Sequence, residues 1–269
     1  SGGKLKMHRI LAIVLRYLYV YRRSWVRQFE MVFWPTMDLL VWGYVTIFIQ
    51  RTAGGELPNF ITFLIGAMIF WDILYRCQQG ISISFLEDVW ARNLLNVFCS
   101  PLRLSEYITA TYIFGLMRVG ATFILMSSVA LVLYRFDVSD MGLYLLPFLA
   151  NLLVFGLTMG LFAVSVMLRF GQGAEVLVWA LPFLIQPVSA VFYPIEVLPS
   201  ALKNIALLLP TSYVFEGMRA VIRNGAIPSG ELILASGLNL LYLVLSAWLL
   251  SRMFDFARDK GTLGKLGME

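Results

Sequence analysis

Histidine is nearly absent from this chain of 269 residues, with His8 its single copy, and cysteine occurs only as Cys77 and Cys99. One imidazole cannot build a nucleophile, a base and an orienting group together. His8 also sits in a basic terminal segment that offers none of the partners a metal ligand needs. Both cysteines fall in or beside the half assigned below to the cytoplasm, which argues against a disulfide framework. The phosphate-cradling pattern G-x-x-x-x-G-K-[ST] is missing too. Gly261 to Lys265 has glycines and a lysine but neither the spacing nor the hydroxyl, so no ATP binding of the P-loop kind is expected within the chain. Charge is scarce, at 14% of residues. The net charge of +5 is placed to meet a membrane surface rather than nucleic acid.

Apolar residues are abundant instead. They make up 59% of the chain, with a mean hydropathy of +0.79, against about 45–50% in soluble domains. They come in long runs, which favours one membrane bundle over soluble domains. Six stretches approach the roughly 20 residues needed to cross about 30 Å of hydrocarbon: 32–50, 59–80, 107–134, 144–168, 174–193 and 231–252. Residues 194–230 are apolar but interrupted by Pro194, Pro199, Pro210 and Pro228. That segment reads as two short helices, 196–209 and 211–223, dipping into the outer leaflet, or else as an interfacial loop. The fold expected is all-α integral membrane, a single transmembrane domain over 1–269. Its parts are an interfacial helix at 8–30, five spans within 32–193, outer re-entrant helices at 194–230, a sixth span at 231–252 and a cytoplasmic tail at 253–269. Ser1-Gly2-Gly3 reads as an appended scar, and no cleavable signal peptide is expected.

Orientation follows from the bias of Lys and Arg toward cytoplasmic loops. Lys4, Lys6, Arg9, Arg16, Arg22, Arg23, Arg27, Arg76, Arg92, Arg103, Arg169, Arg252, Arg258, Lys260 and Lys265 fall on one side. Arg51, Arg135, Lys203, Arg219 and Arg223 fall on the other, and Arg118 lies inside a span. Both termini are therefore expected in the cytoplasm. Within 8–30, Arg9, Arg16, Arg23 and Arg27 share a helical stripe about 40° wide, with Ile10, Leu11, Val14, Leu18, Trp25 and Phe29 on other faces. Such a helix suits the membrane interface, its arginines toward water, phosphates or a partner protein.

Polar residues inside the spans stand out, because an unpaired charge at the bilayer centre costs about 2.5–3.5 kcal/mol or more. Asp38, Asp72 and Arg118 lie at similar depth, so a buried network that fixes the first three spans is feasible. Arg76, one turn from Asp72, is a competing partner, and direct substrate contact is the other use of such charges. Gly156 and Gly160 form a G-x-x-x-G step that permits close helix packing. Between the second and third spans, 84–103 reads as a short amphipathic helix ended by Pro101. Glu87 and Asp88 occupy its first turn, where the dipole favours acid. Leu94, Leu95 and Phe98 recur at helical spacing, with Arg92 beside them, and could fill a groove on a soluble partner or pack under the bundle.

Four segments in order carry a family resemblance. Trp34-Pro35-Thr36-Met37-Asp38-Leu39-Leu40-Val41-Trp42-Gly43 opens the first span. Phe85-Leu86-Glu87-Asp88 is followed by Ser100-Pro101-Leu102-Arg103. The third is Phe192-Tyr193-Pro194-Ile195-Glu196-Val197-Leu198-Pro199, and the fourth Leu209-Pro210-Thr211-Ser212-Tyr213-Val214-Phe215-Glu216-Gly217-Met218-Arg219. With their spacing around six spans, they make the chain resemble an ABC-2 type permease, the membrane subunit of ATP-binding-cassette exporters. The resemblance implies a transport permease rather than an enzyme, working as a homodimer with two copies of a separate ABC ATPase that binds ATP and Mg, so no cofactor in this chain. It implies a coupling helix at 87–99, a smaller contact at 169–175 with Arg169 and Glu175, and an outer gate containing Tyr193, Pro194, Glu196, Pro210, Tyr213, Glu216 and Arg219. The location implied is the bacterial cytoplasmic (inner) membrane, among membrane lipids and with no nucleic acid. The implied cargo is a hydrophobic or amphipathic molecule such as a drug, lipid or lipo-oligosaccharide. A lipid-linked polysaccharide and an ATP-independent secondary carrier are the alternatives.

Overall fold

The computed structural model describes residues 6–52, 60–137, 142–225 and 227–264. Lys4 and Lys265, used above for orientation, lie outside the described residues. The described chain is helical, with no strand. Its helices are α1 (Met7–Arg23), α2 (Trp25–Thr52), α3 (Phe60–Trp90), α4 (Leu94–Cys99), α5 (Leu104–Tyr134), α6 (Leu146–Phe170), α7 (Glu175–Ile185), α8 (Ser200–Ala206), α9 (Pro210–Asn224) and α10 (Ser229–Asp259).

Among the described residues, α2, α5, α6 and α10 are long and apolar enough to cross a membrane, and α8 with α9 forms a fifth candidate bent by 93°. The fold is therefore that of an all-α membrane protein. The expected fifth span is shorter than its hydropathy suggested. It runs as an apolar helix over Glu175–Val188, about 21 Å at 1.5 Å per residue.

Helix α3 is the hub of the bundle and packs against α2, α5, α6 and α7. Small residues allow this. A Cβ on Gly115 of α5 would stand 2.9 Å from the Cα of Gly80 on α3, and one on Gly156 of α6 would stand 2.7 Å from the Cβ of Cys77. Gly160 meets Ile81 one turn further on, so the G-x-x-x-G step serves packing as its spacing suggests. The main core is built from Ile65, Ile69, Leu74, Phe148, Leu152 and Phe215, all fully buried. A second cluster at the opposite end of α3 gathers Ile81, Phe85, Leu86, Leu94 and Tyr107. The other faces of α2 and α10 stay open, with Trp34, Val41, Tyr44, Phe48, Leu240 and Val244 exposed; in hydrocarbon such side chains incur no penalty.

Three expected boundaries move. The segment 8–30 is not one helix: Ser24 adopts an extended conformation, and 25–30 already belong to α2. The Gln28 amide donates to the carbonyls of Tyr21 (3.2 Å) and Arg22 (2.9 Å), closing the end of α1. The segment 87–99 is likewise divided, because α3 continues to Trp90 and only Leu94–Cys99 forms a separate helix. The last span reaches Asp259 rather than ending at 252. The proline-broken region does form two short helices, and Pro210 opens α9 as its first residue, where its missing N–H costs nothing.

Candidate coupling site

At the end of the bundle that holds α1, α4 and the last turns of α3 and α10, the chain turns sharply after Trp90. Arg92 takes a left-handed conformation (φ 52°). Its N–H donates to the Val89 carbonyl and that of Asn93 to the Asp88 carbonyl, both at 2.9 Å. This is a helix-ending pattern that usually employs glycine. It separates the carboxylates of α3 from the exposed side chains of α4.

Asp88 is buried and fully engaged. Its Oδ2 accepts from the Tyr17 hydroxyl at 2.7 Å and the Tyr107 hydroxyl at 2.8 Å. Its Oδ1 accepts from the Arg16 guanidinium and from the Asn93 amide at 3.3 Å. Burial, and then the negative charge of Asp88, push the Tyr17 hydroxyl well above its ordinary pKa. Glu87 pairs with Arg27 at 3.1 Å. Glu106, completely buried, pairs with Arg9 at 3.4 Å and accepts the backbone N–H groups of Lys6 and Arg103 at 3.0 Å each. The two acids of the expected coupling helix thus occupy the last turns of α3, where a helix dipole disfavours negative charge; the arginines compensate them.

Three of the four stripe arginines, Arg9, Arg16 and Arg27, are consequently turned inward onto α3 and α5 rather than toward water or phosphate. Only Arg23 of the stripe forms no ion pair among the described residues. Helix α1 lies along α5, with Ile10 and Val14 against Ala110 and Tyr21 edge-on to Phe114.

The expected groove-filling trio divides. Leu94 is buried at 2% exposure while Leu95 is 48% exposed. Phe98 is half-buried, 4.8 Å from Phe254 and 5.5 Å from Tyr107 between ring centres. Arg92 is exposed beside Leu95. Between α4 and the end of α10 opens a groove of about 650 Å³ lined by Leu95, Phe98, Leu102, Phe254, Asp255 and Arg258 among others. The second expected contact adjoins the first through Glu175, which accepts the Trp90 indole N–H at 3.3 Å. Arg169 instead covers the Phe256 ring at 4.4 Å.

The intramembrane charges lie within reach of one another's fields, but a single direct ion pair joins them among the described residues. Asp72 pairs with Arg76 of its own helix at 2.7 Å. Arg118 lies over the Tyr21 ring at 4.9 Å, with its Nε unpartnered; it makes no ion pair with Asp38 or Asp72, although its charge still acts on Asp72. Asp38 and Asp72 do share a cavity.

At the far end, Glu216 organises the predicted gate. It pairs with Arg219 at 2.8 Å and accepts the Ile195 N–H at 2.7 Å. Arg219 also donates to the Ala190 carbonyl at 2.7 Å. Tyr193 donates to the Pro187 carbonyl and Tyr213 to the Leu207 carbonyl. Pro194 and Glu196 are exposed and stand apart from this cluster. Sequence reasoning missed Tyr17, Tyr107, Asn93 and Glu106. Only Glu106 left a signal, an acid in the first turn after the Pro101 break.

Against known families, residues 8–222 match the model described as ABC-2 type transporter. No curated protein matches the chain.

Proposed function

The chain belongs to the ABC-2 type transporter family, and from that premise we propose that it is the permease subunit of an ATP-driven exporter. It is a multi-pass membrane protein and a transport permease of an ABC system, in a family that normally works with an ABC ATPase. In the proposed assembly it forms a homodimer over two copies of a separate ATPase that binds ATP and Mg. It sits in a bacterial inner membrane with both termini cytoplasmic, six crossings being reached by counting α3 and the short α7. The cargo is a hydrophobic or amphipathic molecule leaving the cytoplasm or inner leaflet.

The family match over 8–222 carries the reading, and the geometry of α3 supports it. This one helix runs from Asp72 beside the inner cavity to Asp88 beside α4, about 24 Å at the helical rise. Because Asp88 ties α3 to α1 and Glu87 ties it to the first turn of α2, a push on α4 from closing ATPases would move α1, α3 and α5 as a body, a rigid rocking of the kind interfaces convert into gating. The surface offered to the ATPase is Leu95 with Arg92, the adjoining groove and the Trp90–Glu175 contact.

Co-purification with the ATPase tests this. Leu95→Asp is expected to abolish association and permease-stimulated ATP hydrolysis while the permease still folds, because Leu95 is half-exposed. Leu94→Asp is unsuitable, because a buried charge would damage the core. No association with any ABC ATPase under any nucleotide condition would overturn the exporter reading in favour of an ATP-independent carrier. ATP-driven transfer of a lipid-linked glycan in place of a smaller amphiphile would correct the cargo.

A further inference from the structure

We propose that the cavity between α2, α3 and α7 is a binding site for a monovalent organic cation, an ammonium head on an apolar body; this rests on the transport reading above and narrows its cargo. The cavity measures about 130 Å³ and is lined by Asp38, Asp72, Trp42, Trp71, Tyr75 and Phe183 among others. Asp38 and Trp42 are one turn apart on α2, while Trp71, Asp72 and Tyr75 form one face of α3. The walls are therefore largely aromatic, and the polar groups are two carboxylates with the Gln186 amide and the Tyr75 hydroxyl. Trp42 stacks on Phe192 at 5.4 Å with planes 13° apart, and Tyr75 meets Phe183 at 5.7 Å.

Charge balance points to the ligand. Arg76 compensates Asp72 through their 2.7 Å contact. Asp38 has no hydrogen bond or ion pair among the described residues, and no described Lys or Arg lines the cavity. Arg76 is also the cation whose charge acts on Asp38, so one guanidinium serves two carboxylates of the cavity and a ligand cation beside Asp38 would complete the pairing. Aromatic faces carry negative quadrupoles and attract a cation as the carboxylate does. A metal ion is a poor fit, because no group of three or more His, Cys, Asp or Glu able to hold one occurs among the described residues and aromatic rings supply no oxygen ligands. The volume admits an ammonium head, and the open face of α2 leaves room for the apolar body to extend outward.

The full-length permease in nanodiscs of zwitterionic lipid, titrated with radiolabelled phenyltrimethylammonium, tests the assignment. Saturable binding is expected, displaced poorly by the neutral isostere tert-butylbenzene and not by benzenesulfonate. Asp38→Asn should weaken it about tenfold or more, Asp38→Glu should restore most of it, and Trp42→Leu should weaken it by a smaller factor, about fivefold. Binding unchanged in Asp38→Asn, or equal competition by the neutral isostere, would overturn the proposal. So would a cation that fails to bind while Asp38→Asn shifts the oligomeric state, which would place Asp38 against a second copy. ATP-dependent uptake of a neutral amphiphile by the reconstituted complex separates the two claims. If uptake persists without cation binding, the cavity assignment fails and the exporter stands. Cation binding without any ATPase association upholds the site and rejects the exporter.

Discussion

Replacing Asp88 by Asn should loosen α1 from the bundle without unfolding it. Asp88 accepts two tyrosine hydroxyls, one guanidinium and one amide. Asn at this position keeps an acceptor oxygen but removes the charge. A hydrogen bond to a charged group contributes about 1.5–3 kcal/mol against about 1 for a neutral one, so the two tyrosine contacts lose about 1 kcal/mol each. The Arg16 side chain is 32% exposed, and solvent screening limits that pair to about 1 kcal/mol or less. Tyr17 retains the Ser84 carbonyl at 3.1 Å as a fallback acceptor. The net cost is about 2–3 kcal/mol, which raises the population with α1 detached about 30- to 150-fold. Hydrogen exchange of the α1 amides in detergent micelles measures this, with a matching loss of protection expected for residues 10–17. Arg23→Gln is the comparison, because Arg23 forms no ion pair among the described residues. Unchanged protection in Asp88→Asn, or an equal loss in Arg23→Gln, would refute the view that this carboxylate holds α1.

Three further outcomes are expected. Gly80→Ala should destabilise the bundle by about 1–3 kcal/mol or more, because the new methyl meets the backbone of Gly115 in a packed interior; Gly120→Ala, with open space around it, should be neutral, and chemical denaturation in mixed micelles compares them. Raising pH should leave the α1 contact intact until well past the ordinary tyrosine range. The Tyr17 pKa is raised by burial, so its stabilising share is complete below the unfolded value near 10 and is lost as pH climbs through the folded one; tyrosinate absorbance should show several late-titrating groups, one fewer after Tyr17→Phe. Arg219→Met should cost about 3–5 kcal/mol by stranding Glu216 and the Ala190 carbonyl, read as easier proteolysis near 190–195; wild-type resistance would show that the pair does not hold this segment.

What the sequence made legible was what depends on local pattern. Apolar runs located α2, α5, α6 and α10, and prolines marked the bent pair α8 and α9. The stripe of arginines was visible, but its destination was not. The acids that receive Arg9, Arg16 and Arg27 lie at Glu106, Asp88 and Glu87, distant in sequence and brought near only by packing of α1 and the start of α2 on α5 and α3. Periodicity could not place the boundary at Trp90 either, because Arg92 occupies a left-handed position with no glycine to announce it. Depth along a helix suggested that Arg118 would join Asp38 and Asp72. Rotation about the helix axis, which depth does not specify, turned it toward Tyr21 instead.

The inward-facing arginines, Arg9 and Arg16 on α1 and Arg27 in the first turn of α2, also have an order in time. The acids that neutralise them follow later in the chain, Glu87 sixty residues after Arg27, Asp88 seventy-two after Arg16 and Glu106 ninety-seven after Arg9. During synthesis α1 is therefore a free basic helix, able to hold anionic headgroups and to bias which way the first hydrophobic segment inserts. Once α3 and α5 have entered, the same charges leave the lipid surface for the protein interior. A nascent chain stopped before residue 87 should bind anionic vesicles more tightly than the finished one.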